Sequence, residues 1–499
     1  MELQFQKSLC RCLKAAVHEV RNQEQTQELK LSDAMPDIGR ILGSWGQVIL
    51  RGKEWRGDCV SFSGGIMAWV LYAPEDGSAP RTLDAWIPIQ MKWDLPDGTK
   101  EGYIRMEGRL RFLDARSVSP RKIMLRTGIA ALAEALEPQE AEMYIPSGLP
   151  EDVALLKNTY PVRLPRNAGE KSFLMDEDLT LPDSAPAPEK LVYYTMQPRI
   201  MDKKVMGGKV VFRGSGNLHI LYLSEEGQLH SWDFELPFSQ FGELEDAPGM
   251  DAQADITMAV TDLDLDLDAE GHFRLKSGMT AQYLVDDREL LEVAEDAYST
   301  RRTVELENDM IRLPALLDSR SENIYGEQTM NVDANVVADA VFLPDYPKQR
   351  RMDSGVQLEL PGQFQVLYYG ADGSLQSGQV RWEGSHSIPL HDDSQLCVNV
   401  LPVAAPQITV GDGTVGLKTE LQLAQKAVNN RGISMVSGLQ LGELREPDPA
   451  HPSLILRRSR KQRLWDIAKA SGSTVEAIQA ANHLQEEPAE DQMLLIPVQ

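Results

Sequence analysis

Cysteine is scarce in this sequence, and its few cysteines do not form a metal-binding pattern. The 499 residues include only Cys10, Cys12, Cys59 and Cys397. Their spacing lacks the paired ligands of a zinc site, and four are too few for a disulfide-stabilised scaffold. We therefore expect reduced thiols, as in a cytosolic protein, and no bound metal.

The sequence also lacks a long apolar run and an excess of positive charge. No stretch approaches the roughly 18 apolar residues that cross a bilayer, and the N-terminus has no continuous apolar region typical of a signal peptide. The formal net charge is −25, from 50 Lys and Arg against 75 Asp and Glu. Because such a chain repels nucleic acid and anionic membranes, we expect neither as the main partner. From the N-terminal pattern we expect the protein to stay inside the cell.

Patterns typical of enzymes are absent or incomplete. The eight histidines are scattered, and neither H-E-x-x-H nor G-x-S-x-G occurs. Residues 411–416 satisfy G-x-G-x-x-G but precede a strand-like run instead of a helix, so we predict a turn there. Alternating carboxylates over residues 262–268 suggest calcium, but Ser277 stands where an EF-hand loop needs Glu, so we predict a strand with one solvated acidic face. The sequence predicts no catalytic residue, cofactor or metal.

Three segments of the chain repeat one hairpin pattern. In each, an apolar strand ends in Leu-Tyr, a glycine follows the tyrosine by five residues, and a second strand closes on an apolar-Pro-apolar triplet. Because proline has no N–H to donate, we expect the second strand to end there. The tyrosines are Tyr72, Tyr222 and Tyr368, the glycines are Gly77, Gly227 and Gly373, and the prolines are Pro88, Pro237 and Pro389.

The spacing of the tyrosines sets the size of the repeat. Tyr222 lies 150 residues after Tyr72, and Tyr368 follows 146 residues later. Another alternating run follows each proline, such as residues 104–112, where apolar and charged side chains face opposite ways. We therefore predict a mainly β protein with three antiparallel β-rich repeats, each a sandwich or an open barrel, followed by a small α+β module.

The repeat resembles the SPOCS domain, which is found in proteins that build the coat of bacterial endospores. The resemblance rests on the hairpin pattern and on similar lead-in segments at residues 28–32 and 178–182. It implies that residues 31–150 form the first repeat, 151–313 a linker with the second repeat, and 314–442 the third repeat.

The remaining segments predict a helix and two linkers. Residues 1–30 carry apolar side chains at helical spacing among polar neighbours, which favours a short amphipathic helix for packing or docking over a membrane anchor. Residues 137–166 mix prolines with acidic residues, and residues 443–451 form a Pro-rich linker that should let the last module reach out independently. The apolar positions of the predicted helix are Leu9, Leu13, Ala16, Val17 and Val20.

Residues 452–499 predict one compact module in the order strand, helix, helix, strand. Apolar side chains recur at helical spacing on both sides of Gly472, which can end the first helix in a left-handed conformation. Ser473, with Glu476 three residues later, is typical of a capping box that starts the second helix.

This βααβ module resembles a LysM domain through residues 464–468, residues 474–478, Asn482 and the terminal Ile496-Pro497. LysM modules typically bind N-acetylglucosamine polymers in a groove between the loop after the first strand and the loop after the second helix. The Gly-Asp-Thr usual in the first loop is replaced here by residues 461–463, Lys-Gln-Arg. A bulky basic loop suits an acidic protein better than a neutral sugar.

SPOCS repeats followed by one LysM module resemble the spore-coat morphogenetic proteins of bacteria. The resemblance implies a non-catalytic scaffold in the mother-cell cytoplasm, at the outer surface of the forespore. Its partners would be the stage IV sporulation coat ATPase, bound through the LysM-like module, and other coat proteins. A peptidoglycan-binding protein is the alternative, and an enzyme with an unrecognised site is a third.

The candidate partner-binding residues lie in the LysM-like module. Five of its six cations fall between Arg457 and Arg463, and such charges repel one another unless solvent or an anionic surface separates them. We expect the Trp465 side chain to pack mainly in the helix core, and Asn482 to cap the helix end more than to touch a ligand. The candidate residues are Arg458, Arg460, Lys461, Arg463, Trp465 and Asn482.

Overall fold

The computed structural model describes residues 5–390, 394–444 and 452–498. These residues form antiparallel sheets and two short helices, so the predicted mainly β class is confirmed. The first six strands are β1 (Phe5–Lys30), β2 (Ile38–Arg56), β3 (Cys59–Pro74), β4 (Arg81–Asp94), β5 (Tyr103–Ser119) and β6 (Lys122–Pro146).

These six strands, which we call unit 1, form two three-stranded sheets. β3 lies between β2 and β4, and β6 lies between β1 and β5. The next six strands, unit 2, repeat this order: the third strand lies between the second and the fourth, and the last strand lies between the first and the fifth. The strands of unit 2 are β7 (Val153–Leu179), β8 (Pro188–Met206), β9 (Lys209–Ser224), β10 (Leu229–Glu243), β11 (Gln253–Leu267) and β12 (Phe273–Ser299).

Unit 3 has the same strand order with two short additions. Its central hairpin strands form one sheet, and its long first and last strands belong to another. One short additional strand pairs with the central strand of the first sheet, and the other pairs with the long last strand. The strands of unit 3 are β13 (Arg302–Met330), β14 (Ala334–Pro344), β15 (Lys348–Met352), β16 (Gly355–Gly370), β17 (Leu375–Pro389), β18 (Ser394–Pro402), β19 (Gln407–Gly411) and β20 (Thr414–Leu444).

The repeated tyrosine-to-glycine spacing corresponds to the same turn in each unit. Gly77, Gly227 and Gly373 have φ angles of 75°, 78° and 76°, a left-handed conformation that residues with a Cβ rarely adopt. Each glycine therefore allows the turn after the Leu-Tyr strand. The three tyrosines lie on β3, β9 and β16, which belong to three separate sheets.

The prediction that the second hairpin strand ends at its proline is wrong in two units. β4 continues past Pro88 to Asp94, and β10 continues past Pro237 to Glu243, whereas β17 does end at Pro389. Both β4 and β10 are edge strands of their sheets. An edge strand tolerates proline because one side of its backbone needs no ladder partner.

The predicted N-terminal helix is also wrong, because residues 5–30 form the 26-residue strand β1. β1 pairs with β6 from Phe5 opposite Pro146 to Lys30 opposite Lys122. This long-range ladder outweighs the weak local helical pattern. The apolar positions Leu9 and Val20, which a helix would have placed on one packed face, are 51% and 37% exposed in the strand.

Two predicted boundaries fall inside strands. Residues 137–166, predicted as a linker, belong mostly to β6 and β7, with only residues 147–152 between these strands. The boundary predicted between residues 313 and 314 lies inside β13. Partner strands supply the backbone hydrogen bonds of both segments. Local composition gives no sign of these distant partners. Most of the predicted linker 443–451 lies outside the described residues.

The long strand pairs β1/β6, β7/β12 and β13/β20 pack together in one buried cluster. Each of the six strands contributes two residues that are two positions apart and therefore lie on the same face of the strand. All three units thus contribute to the cluster. Burial raises the pKa of the Cys10 thiol in this cluster to about 12, which keeps the thiol protonated near neutral pH. The buried members are Cys10, Cys12, Ala141, Met143, Val162, Leu164, Leu291, Val293, Leu313, Ala315, Ile433 and Met435.

Candidate functional site

Residues 452–498 form a C-terminal unit of two strands and two helices in the predicted order. Its apolar side chains, including Leu464, Ile467 and Ile478, are buried between the helices and the two-stranded sheet. The elements are β21 (Leu454–Arg458), α1 (Leu464–Ser471), α2 (Val475–Asn482) and β22 (Met493–Pro497).

The helix ends of the C-terminal unit agree in part with the sequence. Gly472 ends α1 in the left-handed conformation, at φ 62° and ψ 34°, as predicted. The residue that caps α2 is Thr474, whose hydroxyl accepts a hydrogen bond from the backbone N–H of Ala477 at 3.1 Å. The predicted cap Ser473 instead donates its hydroxyl to the Pro497 carbonyl. Ser473 thus ties the helix pair to the last strand.

The predicted basic residues differ in how freely they can meet a partner. Lys461 forms an ion pair with Glu490 at 2.9 Å, and Arg463 donates twice to the Asp466 carboxylate at 3.1 Å. Arg458 and Arg460 are exposed, and in the described parts of the chain neither has an ionic or hydrogen-bond partner. Arg458 and Arg460 are therefore the cations best placed to bind an anionic surface.

The two loops that would border a LysM-type groove are joined to each other. The backbone N–H of Leu464 donates to the Glu487 carboxylate at 2.8 Å, and the Ser459 hydroxyl donates to the Ala489 carbonyl at 2.7 Å. The ion pair between Lys461 and Glu490 adds a third link. These contacts occupy polar groups of both loops, which are therefore not available to bind a sugar between the loops.

Asn482 fixes the end of α2 to β22. Its side-chain amide donates to the Ile478 carbonyl at 2.8 Å and to the Leu495 carbonyl at 2.6 Å. Its side-chain carbonyl accepts from the Leu495 N–H at 2.7 Å. These three bonds agree with the expected capping role of Asn482.

Trp465 lies between the C-terminal unit and unit 2. Its indole N–H donates to Asp296 at 2.8 Å, and its ring packs edge-on against Tyr298 with centroids 4.7 Å apart. Lys469 also pairs with Asp296 at 2.7 Å, and the Tyr298 hydroxyl donates to the Ser473 carbonyl at 2.8 Å. The expected independent reach of this unit is therefore wrong for the described structure. Residues far apart in the chain create the contact, so the local sequence gave no sign of it.

A cavity of about 1700 Å³ lies where units 1, 2 and 3 meet. The charged face of β5, which alternation alone would place in solvent, lines this cavity. Arg105, Glu107 and Arg109 are 7%, 9% and 7% exposed. Paired charges from different units therefore surround the cavity, and this arrangement was not predicted.

Buried ion pairs at the cavity join the units. Arg105 of unit 1 contacts both Glu134 and Asp255 at 2.8 Å, and Asp255 belongs to unit 2. Lys426 of unit 3 contacts Asp286 of unit 2 at 2.7 Å. Burial opposes ionisation of Glu134, but the Arg105 guanidinium outweighs it and holds the pKa of Glu134 at about 2. Against burial, Arg105 also lowers the pKa of Asp255, so both of its carboxylate partners stay charged near neutral pH. Burial raises the pKa of Asp286 despite its Lys426 partner.

The open edge of β18 is held by side chains from all three units. Arg351 and Gln349 of β15 donate to the carbonyls of Ser394 and Leu396 at 2.9 Å, on alternate residues of the strand. Further along, Arg109 of unit 1 donates to Val400, and Gln197 of unit 2 donates to Pro402. An unpaired strand edge invites pairing with other chains, and these contacts cover it within the protein.

A second junction contains His219, whose ring contacts Asp233 at 2.8 Å and Asp339 at 3.0 Å. Asp339 belongs to unit 3 and also accepts a hydrogen bond from the Tyr193 hydroxyl of unit 2. The Tyr193 ring stacks on Trp45 of unit 1 with centroids 4.5 Å apart. One buried cluster thus links all three units.

The titration of His219 gives a testable pH dependence. Burial disfavours the imidazolium, but Asp339 and Asp233 outweigh it and raise the pKa of His219 from 6.5 to about 10. Because the folded pKa is raised, the stabilisation is complete below pH 6.5 and is lost as the pH rises towards 10. Compared with His219→Gln, the unaltered protein should lose unfolding free energy across this window, by up to about 1.4 kcal/mol per pH unit. Urea unfolding of both proteins at several pH values measures this difference, and parallel curves would contradict the assigned charge.

Other predicted features can be located directly. Residues 262–267 lie on β11, where Asp262, Asp264 and Asp266 are exposed and the leucines between them are covered, so the predicted acidic strand face is confirmed. The glycine-rich run at 411–416 contains the predicted turn at residues 412–413, between β19 and β20. In the described parts of the chain, no three His, Cys, Asp or Glu are arranged to hold a metal ion. Neither described helix is long and apolar enough to cross a membrane.

Comparison with known proteins identifies one domain. Residues 188–268, which extend from β8 to the end of β11 in unit 2, match the family described as SipL, SPOCS domain. This match supports a SPOCS-containing sporulation protein, as the hairpin around Tyr222 predicted. For units 1 and 3 the SPOCS resemblance stays a prediction. No curated protein and no solved structure matches the chain.

Proposed function

We propose that the protein is a non-catalytic scaffold for assembly of the endospore coat. In this proposal the C-terminal unit is LysM-like and binds the stage IV sporulation coat ATPase, while units 1 to 3 hold other coat proteins. The site of action is the mother-cell cytoplasm at the forespore's outer surface. The SPOCS match in unit 2 is the observation that carries the proposal, and it is supported by the same strand order in units 1 and 3.

The contacts between the units favour a rigid scaffold whose surface binds partners. They do not favour a protein whose function is to move substrates. Arg105, Lys426 and His219 each connect two units through an ion pair, and Arg105 and Lys426 do so at the cavity between the units. The exposed Arg458 and Arg460 lie at the far end of β21 and in the following loop. They support an electrostatic contribution to partner binding.

Reversing these two charges tests the proposal. Arg458→Glu with Arg460→Glu should slow association with the purified coat ATPase and lower its affinity, because rim charges act mainly through steering. The effect should shrink as salt rises, since the screening length is about 8 to 10 Å near physiological ionic strength. Binding rates measured by surface plasmon resonance at several salt concentrations provide the readout.

A matched control separates local from overall charge effects. Lys348 and Arg350 are exposed on β15 of unit 3 and, like the first pair, stand two residues apart in the sequence. Lys348→Glu with Arg350→Glu makes the same change in net charge at a different place. If both double variants bind equally well, the basic end of the C-terminal unit does not contact the ATPase.

Peptidoglycan binding is the alternative function. The βααβ order of the C-terminal unit favours it, because that order is shared with glycan-binding LysM modules. The links between the two groove loops, including that from Leu464 to Glu487, argue against it. Sedimentation of the full-length protein with purified peptidoglycan decides: co-sedimentation that free N-acetylglucosamine oligomers compete away would favour the glycan over the ATPase.

A further inference from the structure

The two-stranded sheet of the C-terminal unit has one buried face and one exposed apolar face. β21 and β22 place Leu456 opposite Leu495, and side chains directly opposite one another share a face of a sheet. On the inner face, Leu494 and Ile496 are fully buried under the helices. We call the outer set the apolar sheet face: Leu454, Leu456, Met493 and Leu495, which are 53%, 63%, 46% and 39% exposed.

The docking of the C-terminal unit leaves this face open. The contacts with unit 2 come from α1 and from the turn after it, through Trp465, Lys469 and Ser473. The helices pack on the inner face of the sheet, so the outer face is directed away from them. A group of exposed aliphatic side chains with a polar border is typical of a protein interaction site.

The charges around the face indicate what it binds. Arg458 pairs with Met493 across the sheet, so it extends the same face, and Arg460 follows two residues later. In the described part of the chain neither arginine side chain has an ionic or hydrogen-bond partner, and the full sequence has a net charge of −25. An apolar surface with cations at one end is complementary to an apolar strip bordered by carboxylates.

We propose that the apolar sheet face is the centre of the partner-binding surface, with Arg458 and Arg460 at its rim, and that its occupant is an acidic protein with an exposed apolar strip. This inference rests on the proposed function and names the surface that performs it. The aliphatic side chains supply the buried area that holds the complex together, and the arginines steer and orient it. The basic loop alone is thus insufficient for binding.

Leu456→Asp tests this assignment in the full-length protein. Leu456 is 63% exposed, so its replacement opens no cavity, but it places a charge in the centre of the proposed interface. We expect affinity for the purified coat ATPase to fall about tenfold or more, mostly through faster dissociation. Leu174→Asp on β7 of unit 2 is the matched control, because Leu174 is 82% exposed and far from the C-terminal unit in the sequence.

Salt dependence distinguishes the apolar centre from the charged rim. The loss caused by Leu456→Asp should persist between about 0.1 M and 1 M salt, while the loss caused by Arg458→Glu with Arg460→Glu should disappear at the higher value. Equal binding by Leu456→Asp and Leu174→Asp would overturn the apolar sheet face but leave the proposed function standing. Failure of the unaltered protein to bind the ATPase at all would overturn the proposed function, and this assignment with it.

Discussion

Replacing Arg105 by alanine is expected to lower the unfolding free energy by about 3–5 kcal/mol, because it removes the nearest cation from the buried Glu134 carboxylate and the ion-pair partner of Asp255. The guanidinium contacts Glu134 and Asp255 at 2.8 Å and also donates to the Thr257 hydroxyl at 2.9 Å. Since Asp255 and Thr257 belong to unit 2, the substitution should also loosen the junction between units 1 and 2. The shift in urea unfolding midpoint measures the loss.

Two controls make this result specific. Arg116→Ala removes an exposed arginine from the same strand β5 and should change stability little. In the protein with Arg105, the pKa of Glu134 at about 2 means that its contribution is present above pH 4.5 and lost as the pH falls through 2. Without Arg105, burial should raise that pKa, so protonation should relieve the variant's defect as the pH falls towards 4. A defect independent of pH, or equal to that of Arg116→Ala, would contradict the proposed ion-pair role.

The hairpins and the C-terminal unit could be predicted because their determinants are local. The turn after Tyr72 needs only a glycine at the fifth following residue, and Gly77 adopts the left-handed conformation that such a turn requires. Gly472 has the same role at the end of α1. Signals of this kind lie within a few residues of the structure they determine, so the sequence displays them directly.

The N-terminal strand and the segment at residues 137–166 were mispredicted because their determinants are distant. β1 follows the backbone of β6, whose paired residues lie up to 141 positions away in the case of Phe5 and Pro146. A short amphipathic pattern carries no information about the pairing with β6. Helix propensity is a weak preference when a long partner strand is present. Residues 137–166, which belong mostly to β6 and β7, were mispredicted as a linker for the same reason.

The candidate sites divide in the same way. The sequence showed the cluster of positive charge between Arg457 and Arg463. It could not show that Lys461 and Arg463 form ion pairs while the Arg458 side chain does not.

Alternation on β5 separated Arg105 and Arg109 from Met106 and Leu110, but a bulge before Phe112 breaks the pattern, and Leu113 takes its place in the core. The alternation could not reveal that the charged face meets other units across a cavity, because the contacting residues lie far along the chain, with Asp255 150 positions after Arg105 and Val400 291 positions after Arg109.

Replacing Trp465 by alanine is expected to unfold the C-terminal unit while units 1 to 3 remain folded. Truncation of a large buried aromatic costs about 3–5 kcal/mol. A unit of this size buries too small a core to withstand that loss. The indole is 7% exposed and packs with Leu464 and Ile467 as well as with Tyr298 of unit 2, so both the internal core and the docking contact are weakened. Limited proteolysis with the cleavage sites mapped by mass spectrometry should show new cuts within residues 452–498.

Asp296→Ala separates docking from folding in this experiment. It removes the acceptor of the Trp465 indole N–H and the partner of Lys469, but leaves the core around Ile467 unchanged. Because the Tyr298 contacts with Trp465 and Ser473 remain, we expect a unit that is held less tightly to unit 2 yet resists cleavage within α1 and α2. If Trp465→Ala is as resistant as Asp296→Ala, the indole contributes only to docking. The core of the C-terminal unit would then depend on its aliphatic residues alone, and the unit would be more stable than its size implies.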